Sequence, residues 1–109
     1  MIVALALLPL AACDRDDPHA EAKALIAQRC AACHIVPGVR EAIGRVGPSL
    51  AGIARQQIIA GRFENKPETM VRWLLDPQAM QPGTVMPTTG LSRAQAKAIA
   101  NYLYTLDKS

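Results

Sequence analysis

The residues Cys30-Ala31-Ala32-Cys33-His34 concentrate the chemistry of this chain. Two thiols three positions apart lie one helical turn from each other on the same face, so both can reach the two vinyl groups along one edge of a porphyrin. The histidine that follows then falls beneath the macrocycle, where a neutral imidazole nitrogen can bind iron. This spacing is the signature of covalent haem attachment. Two other chemistries use the same pair of thiols. A redox dithiol expects a βαβ setting, and none surrounds these residues. A closed zinc site needs four ligands, but the chain offers only Cys13, Cys30, Cys33, His19 and His34, and Cys13 has another use.

The chain has 109 residues, the size of one domain. Its core is necessarily modest, and its aromatic residues are only Phe63, Trp73, Tyr102 and Tyr104. A flat apolar cofactor, fixed covalently, would supply the missing core. The net charge is +3 and the basic residues are scattered among acids, whereas nucleic-acid binding calls for a basic stripe or patch. Nucleic acid is therefore not an expected partner. The mild positive charge suits docking on an acidic redox protein.

Residues 1–12, MIVALALLPLAA, are uncharged and almost wholly apolar. Twelve residues are too few to span a bilayer, so they read as the apolar region of a signal peptide. Leu10-Ala11-Ala12-Cys13 resembles the bacterial lipobox, in which the cysteine becomes the lipidated first residue. Asp14 resembles the retention signal of inner-membrane lipoproteins. The alternative is an ordinary cleaved signal with an incidental cysteine. Residues 13–19 then form a charged tether, with His19 solvated at its edge, and residues 20–109 form the domain. One thiol goes to lipid and two to haem, so no disulfide is expected.

The elements that must position the motif follow in order. Residues 20–32, AEAKALIAQRCAA, are strong helix formers with apolar positions at helical spacing, opened by Asp17 and Pro18. Residues 35–50 contain Pro37, Gly38, Gly44, Gly47 and Pro48, which is loop punctuation; glycine there lets the backbone pass close under a porphyrin. Residues 52–60 suit a short helix or turn. A helix is expected over 67–76, with Asn65 as candidate cap, the apolar stripe Met70, Val71, Leu74 and Leu75, and Pro77 as terminator. Residues 79–90 read as loop. A last helix runs from Ser92 to about Leu106, and Ser92 with Gln95 forms a capping box. No long alternating stretch predicts a strand, so the chain reads as all-α.

The second axial position on the iron decides function. Methionine opposite histidine raises the potential and suits electron transfer, while an open position suits peroxidase or gas-binding chemistry. Met70 sits on a helical apolar stripe, where methionine is usually core. Met80 and Met86 remain, both in the expected loop. Met86 is better placed, with Gly83 before it and Pro87 after it; Met80 is the rival. An open iron would want a distal histidine, and only His34 lies within the expected domain.

Cys30-x-x-Cys33-His34, Gly47-Pro48-Ser49-Leu50, Trp73, Pro82-Gly83-Thr84-Val85-Met86-Pro87 and Ile99-Ala100-Asn101-Tyr102-Leu103 come in an order similar to that of small monohaem class I cytochromes c. The resemblance covers the chain from about residue 20 onward. It implies the cytochrome c fold, three to five helices wrapped around one haem c held by Cys30 and Cys33, with His34 and Met86 as axial ligands. It also implies that the Pro48 carbonyl accepts a hydrogen bond from His34, that Trp73 and Thr84 meet a haem propionate, and that Ala22 and Ile26 cross Ile99 and Tyr102. Arg55 is the candidate for the arginine often found near the propionates. The implied function is electron transfer between respiratory or dehydrogenase partners, by a monomer held through lipid on Cys13 to the periplasmic side of the inner membrane. The other roles weighed are a haem subunit of a larger oxidoreductase and a five-coordinate peroxidase or gas-binding protein.

Overall fold

The computed structural model describes residues 16–108. Its first helix, α1 (Ala20–Arg29), buries Ala22, Leu25 and Ile26, the three- and four-residue spacing of one helical face. It begins differently from the Asp17–Pro18 start expected. His19 is the cap residue and offers no side-chain bond, while Asp17 Oδ1 accepts from the His19 amide at 2.8 Å and its Oδ2 accepts from Lys23 Nζ at 2.6 Å. His19 is half-buried and stacks obliquely on Tyr102, with ring centroids 5.4 Å apart. It is not solvated.

Between α1 and the next helix the chain makes a single 3-10 turn over Ile53–Arg55 and a minimal antiparallel hairpin, β1 (Ile58–Ile59) with β2 (Phe63–Glu64). Ile58 pairs with Glu64 and Ile59 with Phe63. The hairpin is an addition to an otherwise helical architecture. Two-residue strands are too short to leave an alternating pattern in the sequence, so periodicity gives no sign of them.

The helix α2 (Pro67–Leu75) buries Met70, Val71, Trp73 and Leu74. Its cap residue is Lys66, without a side-chain bond, and not Asn65. The Asn65 side chain is committed elsewhere: Nδ2 donates to the carbonyls of Ile53 (2.9 Å) and Gln56 (2.8 Å), and Oδ1 accepts from the Tyr104 hydroxyl at 2.7 Å. Pro77 does end α2 but also starts α3 (Pro77–Met80), capped by Asp76 Oδ1 accepting from the Ala79 amide at 3.1 Å. Proline suits the first position of a helix because its missing N–H would have been unpaired there. Met80 therefore lies on a short helix and not in a loop.

The last helix, α4 (Arg93–Leu103), has the expected capping box in full. Ser92 Oγ accepts from the Gln95 amide at 3.1 Å and Gln95 Oε1 accepts from the Ser92 amide at 2.9 Å, an arrangement worth about 1 kcal/mol. Ala96, Ile99, Ala100, Tyr102 and Leu103 turn inward. Helix α4 packs on both α1 and α2, so the two ends of the domain close over a single core. Among the described residues, no helix is long and apolar enough to cross a membrane.

Candidate haem site

The motif residues follow α1 directly, in turns that continue its path. Cys30 donates its amide to Ile26, and the amides of Cys33 and His34 both donate to the Cys30 carbonyl, at 3.1 and 3.0 Å. The helix thus ends at Arg29, earlier than the sequence pattern suggests, and the following turns aim the thiols and the imidazole. The loop over 35–50 is stitched to this backbone. Gly44 donates to Ala31 at 3.1 Å and Gly47 to Cys33 at 2.7 Å.

His34 Nδ1 lies 2.7 Å from the Pro48 carbonyl oxygen. A carbonyl only accepts, so Nδ1 carries the proton and donates, which leaves the lone pair on Nε2 free for a metal. Gly47 makes this geometry possible: a Cβ there would stand 2.3 Å from His34 Cε1. The loop can pass the ring only where there is no side chain.

Burial pushes the Cys30 thiol up to about 11, with a smaller push from Cys33. A thiol held neutral in this way is a poor nucleophile and a poor metal ligand, while a thioether carries no charge to bury. Among the described residues, no three His, Cys, Asp or Glu side chains gather as a metal site.

One cavity of about 780 Å³ joins the elements, within the roughly 300–1,000 Å³ usual for cofactor and small-molecule pockets. Seven of the residues singled out from sequence line it: Cys30, Cys33, His34, Pro48, Trp73, Thr84 and Met86. Ile26 of α1, Met70 and Leu74 of α2, and Ile99 and Leu103 of α4 supply its apolar walls. Met80 does not line it, and neither does Arg55. The rim includes Val46, Ile58 and Val85, which are 70%, 46% and 82% exposed. The cavity's size and apolar lining fit a flat apolar cofactor, with paired thiols and an imidazole lone pair on its wall.

Two contributions were missed in the sequence. The hairpin brings Ile58 and Ile59 to the cavity wall. Gln78 ties the methionine loop to α3 through its side-chain amide; a glutamine has no ligand chemistry to flag it, and its place just after Asp76-Pro77 is the one hint the sequence offers.

Helices closing over a cavity built on a Cys-x-x-Cys-His turn define a c-type haem protein. The chain belongs to the cytochrome c family, whose profile matches residues 19–107. Its fold is the cytochrome c fold and its cofactor is haem c. The chain is similar to the protein named cytochrome c oxidase subunit 2 from a Bacillus species, strain PS3, at 36% identity over 95 residues, which is 83% of this chain and 27% of that protein. It is similar to the protein of the same name from Alkalihalophilus pseudofirmus at 35% over 78 residues, 71% of this chain and 22% of that one. For Bacillus subtilis the figures are 34% over 80 residues, 70% and 22%. The chain thus spans about a quarter of the length of these relatives.

Proposed function

We propose that this protein is a monohaem electron carrier, tethered by lipid at Cys13 to the periplasmic side of a bacterial inner membrane, that passes single electrons between respiratory or dehydrogenase partners. The observation that carries the reading is the convergence of Cys30, Cys33, His34, Pro48, Trp73, Thr84 and Met86 on one cavity. Haem c supplies a one-electron ferrous/ferric couple. Cys30 and Cys33 would hold it through thioethers, and His34, oriented by Pro48, would offer its Nε2 lone pair to the iron. Met86 would supply a thioether ligand, which favours the reduced form. Trp73 and Thr84 would bond a propionate. The apolar rim at Val46, Ile58 and Val85 gives a partner protein a dry surface close to the cofactor edge.

Cys13 and the signal-like residues 1–12 lie outside the described residues, so the tether rests on sequence resemblance. A lipid there raises the carrier's effective concentration near membrane complexes, and stable anchoring takes more than one acyl chain.

A second reading has a specific observation in its favour. The relatives are named as subunits of cytochrome c oxidase, and the same domain would serve as the haem subunit of a larger oxidoreductase. Co-purification of an oxidase with the native protein supports that reading; a monomer that exchanges electrons with separate partners supports the free carrier. An open, five-coordinate iron is disfavoured because His19, the other histidine, packs on Tyr102 and not along the cavity.

The test is the optical spectrum of the holoprotein. A near-infrared band marking methionine on ferric haem, with no carbon monoxide binding by the reduced form, supports the carrier. Absence of the band with rapid carbon monoxide binding overturns it in favour of an open iron.

A further inference from the structure

Met86 lies in a stretch of chain, residues 81–92, that belongs to no helix or strand. A neutral thioether is a weak ligand, so whatever holds the loop decides how often the sulfur is in place. One side chain dominates that task. Gln78 Nε2 donates to the Thr84 carbonyl at 2.6 Å and to the Met86 carbonyl at 2.9 Å, while its Oε1 accepts from the Gly83 amide at 3.3 Å. Both donor hydrogens and the acceptor of the amide head are therefore spent on this loop. Asparagine would be one methylene short of the same span, and glutamate would have the reach but no donors.

The far side of Met86 is fastened to the same corner of the fold. Asp76 Oδ1, which caps α3, also accepts from the Thr88 hydroxyl at 3.4 Å. The Thr89 hydroxyl donates to the Leu74 carbonyl at 3.4 Å, and Arg29 donates to the Thr89 carbonyl. The α2–α3 corner thus grips the loop on both sides of Met86, and among the described residues Gln78 is the side chain that bonds the backbone of Met86 itself.

We propose that Gln78 is the positioning residue for Met86, holding the loop so that the thioether stays on the iron; this rests on Met86 being the axial ligand. Gln78 does not line the cavity and acts only through the backbone of residues 83–86. Removing it leaves two carbonyls and one amide without their partner and shifts the loop toward open states, in which an added ligand can take the vacated position.

The experiment measures imidazole binding to the ferric holoprotein, together with the near-infrared methionine band, in wild type, Gln78→Leu, Gln78→Glu, Met86→Ala and Ser92→Ala. Loss of the three hydrogen bonds should raise imidazole affinity in Gln78→Leu roughly ten- to a hundredfold. Gln78→Glu should behave similarly while its carboxylate still protects the Gly83 amide from hydrogen exchange. Ser92→Ala, which weakens the α4 cap at the far end of this stretch and removes none of the bonds that hold residues 83–89, should lower the unfolding midpoint and leave imidazole affinity unchanged; if it raises affinity as much as the Gln78 variants, the effect is general destabilisation and the proposal falls. Wild-type imidazole affinity in both Gln78 variants, with the band lost only in Met86→Ala, overturns the positioning role and leaves the ligand intact. A band that survives in Met86→Ala overturns the ligand assignment itself, and the role of Gln78 with it.

Discussion

The imidazole of His34 occupies the space where a side chain at position 47 would begin: a Cβ on Gly47 would lie 2.3 Å from Cε1, 2.8 Å from Nδ1 and 2.9 Å from Nε2. All three atoms belong to the ring that Pro48 orients, so the loop and the ring must move apart together. Gly47→Ala should destabilise the holoprotein by about 1–3 kcal/mol, as overpacking does, and should disturb the His34–Pro48 hydrogen bond. Gly61→Ala is the comparison. Gly61 has φ +70°, and a Cβ added there would meet nothing within 4 Å, so this variant should lose only about 1 kcal/mol to backbone strain. Denaturant unfolding of the two variants, with the potential measured alongside, checks both.

Met86→Ala should lower the reduction potential by a sizeable part of the roughly 0.8 V that axial ligation spans in haem proteins, because water or a stray donor favours ferrous iron less than a thioether does. An unchanged potential under redox titration would remove Met86 from the iron.

Tyr102 fastens α4 to the loop below α1: its hydroxyl donates to the Pro37 carbonyl at 2.5 Å, across 65 positions of sequence. Tyr102→Phe keeps the ring, and with it the His19 and Lys23 contacts. It should cost about 1–2 kcal/mol for the carbonyl left without its donor. Thermal unfolding of the holoprotein measures the loss.

The Asp17–Lys23 pair gives stability a pH dependence of definite sign. The hydrogen bond from Lys23 holds the Asp17 carboxyl below its ordinary value of 3.8, and the same bond raises the Lys23 ammonium above 10.5. The contribution is therefore present from just above pH 4 to about pH 10. It is lost as pH falls through the depressed Asp17 value, and again as pH rises through the raised Lys23 value. Both side chains are about one-third exposed, so the effect is small and screened by salt. Asp17→Asn should flatten the acid limb of an unfolding-midpoint series collected at low salt.

Cys13→Ala should release the protein from membranes into the soluble fraction of the exported compartment. Membrane association that persists in this variant would place the anchor elsewhere in the chain.

The helices were legible where a buried stripe recurs every three or four residues, as with Ala22, Leu25 and Ile26 or Ile99, Tyr102 and Leu103. The capping box at Ser92 was legible because both of its partners are local. Asn65 misled because its amide is drawn to Ile53, Gln56 and Tyr104, contacts that exist only once the fold has formed. Pro77 shows the same limit from another direction: it stops one helix and opens the next, and a sequence reading registers only the stop. The candidate site was legible through its reactive residue types. What holds them in place was not, because Gln78 and the hairpin isoleucines act by reach and shape.

The three bonds made by Gln78 all fall within residues 78–86. Closing so short a loop costs little chain entropy and takes on the order of 10–100 ns. A methionine loop that springs open therefore recloses without waiting for the rest of the domain. Lapses in the ligand set would be brief interruptions, repaired locally and long before a colliding partner could arrive and depart.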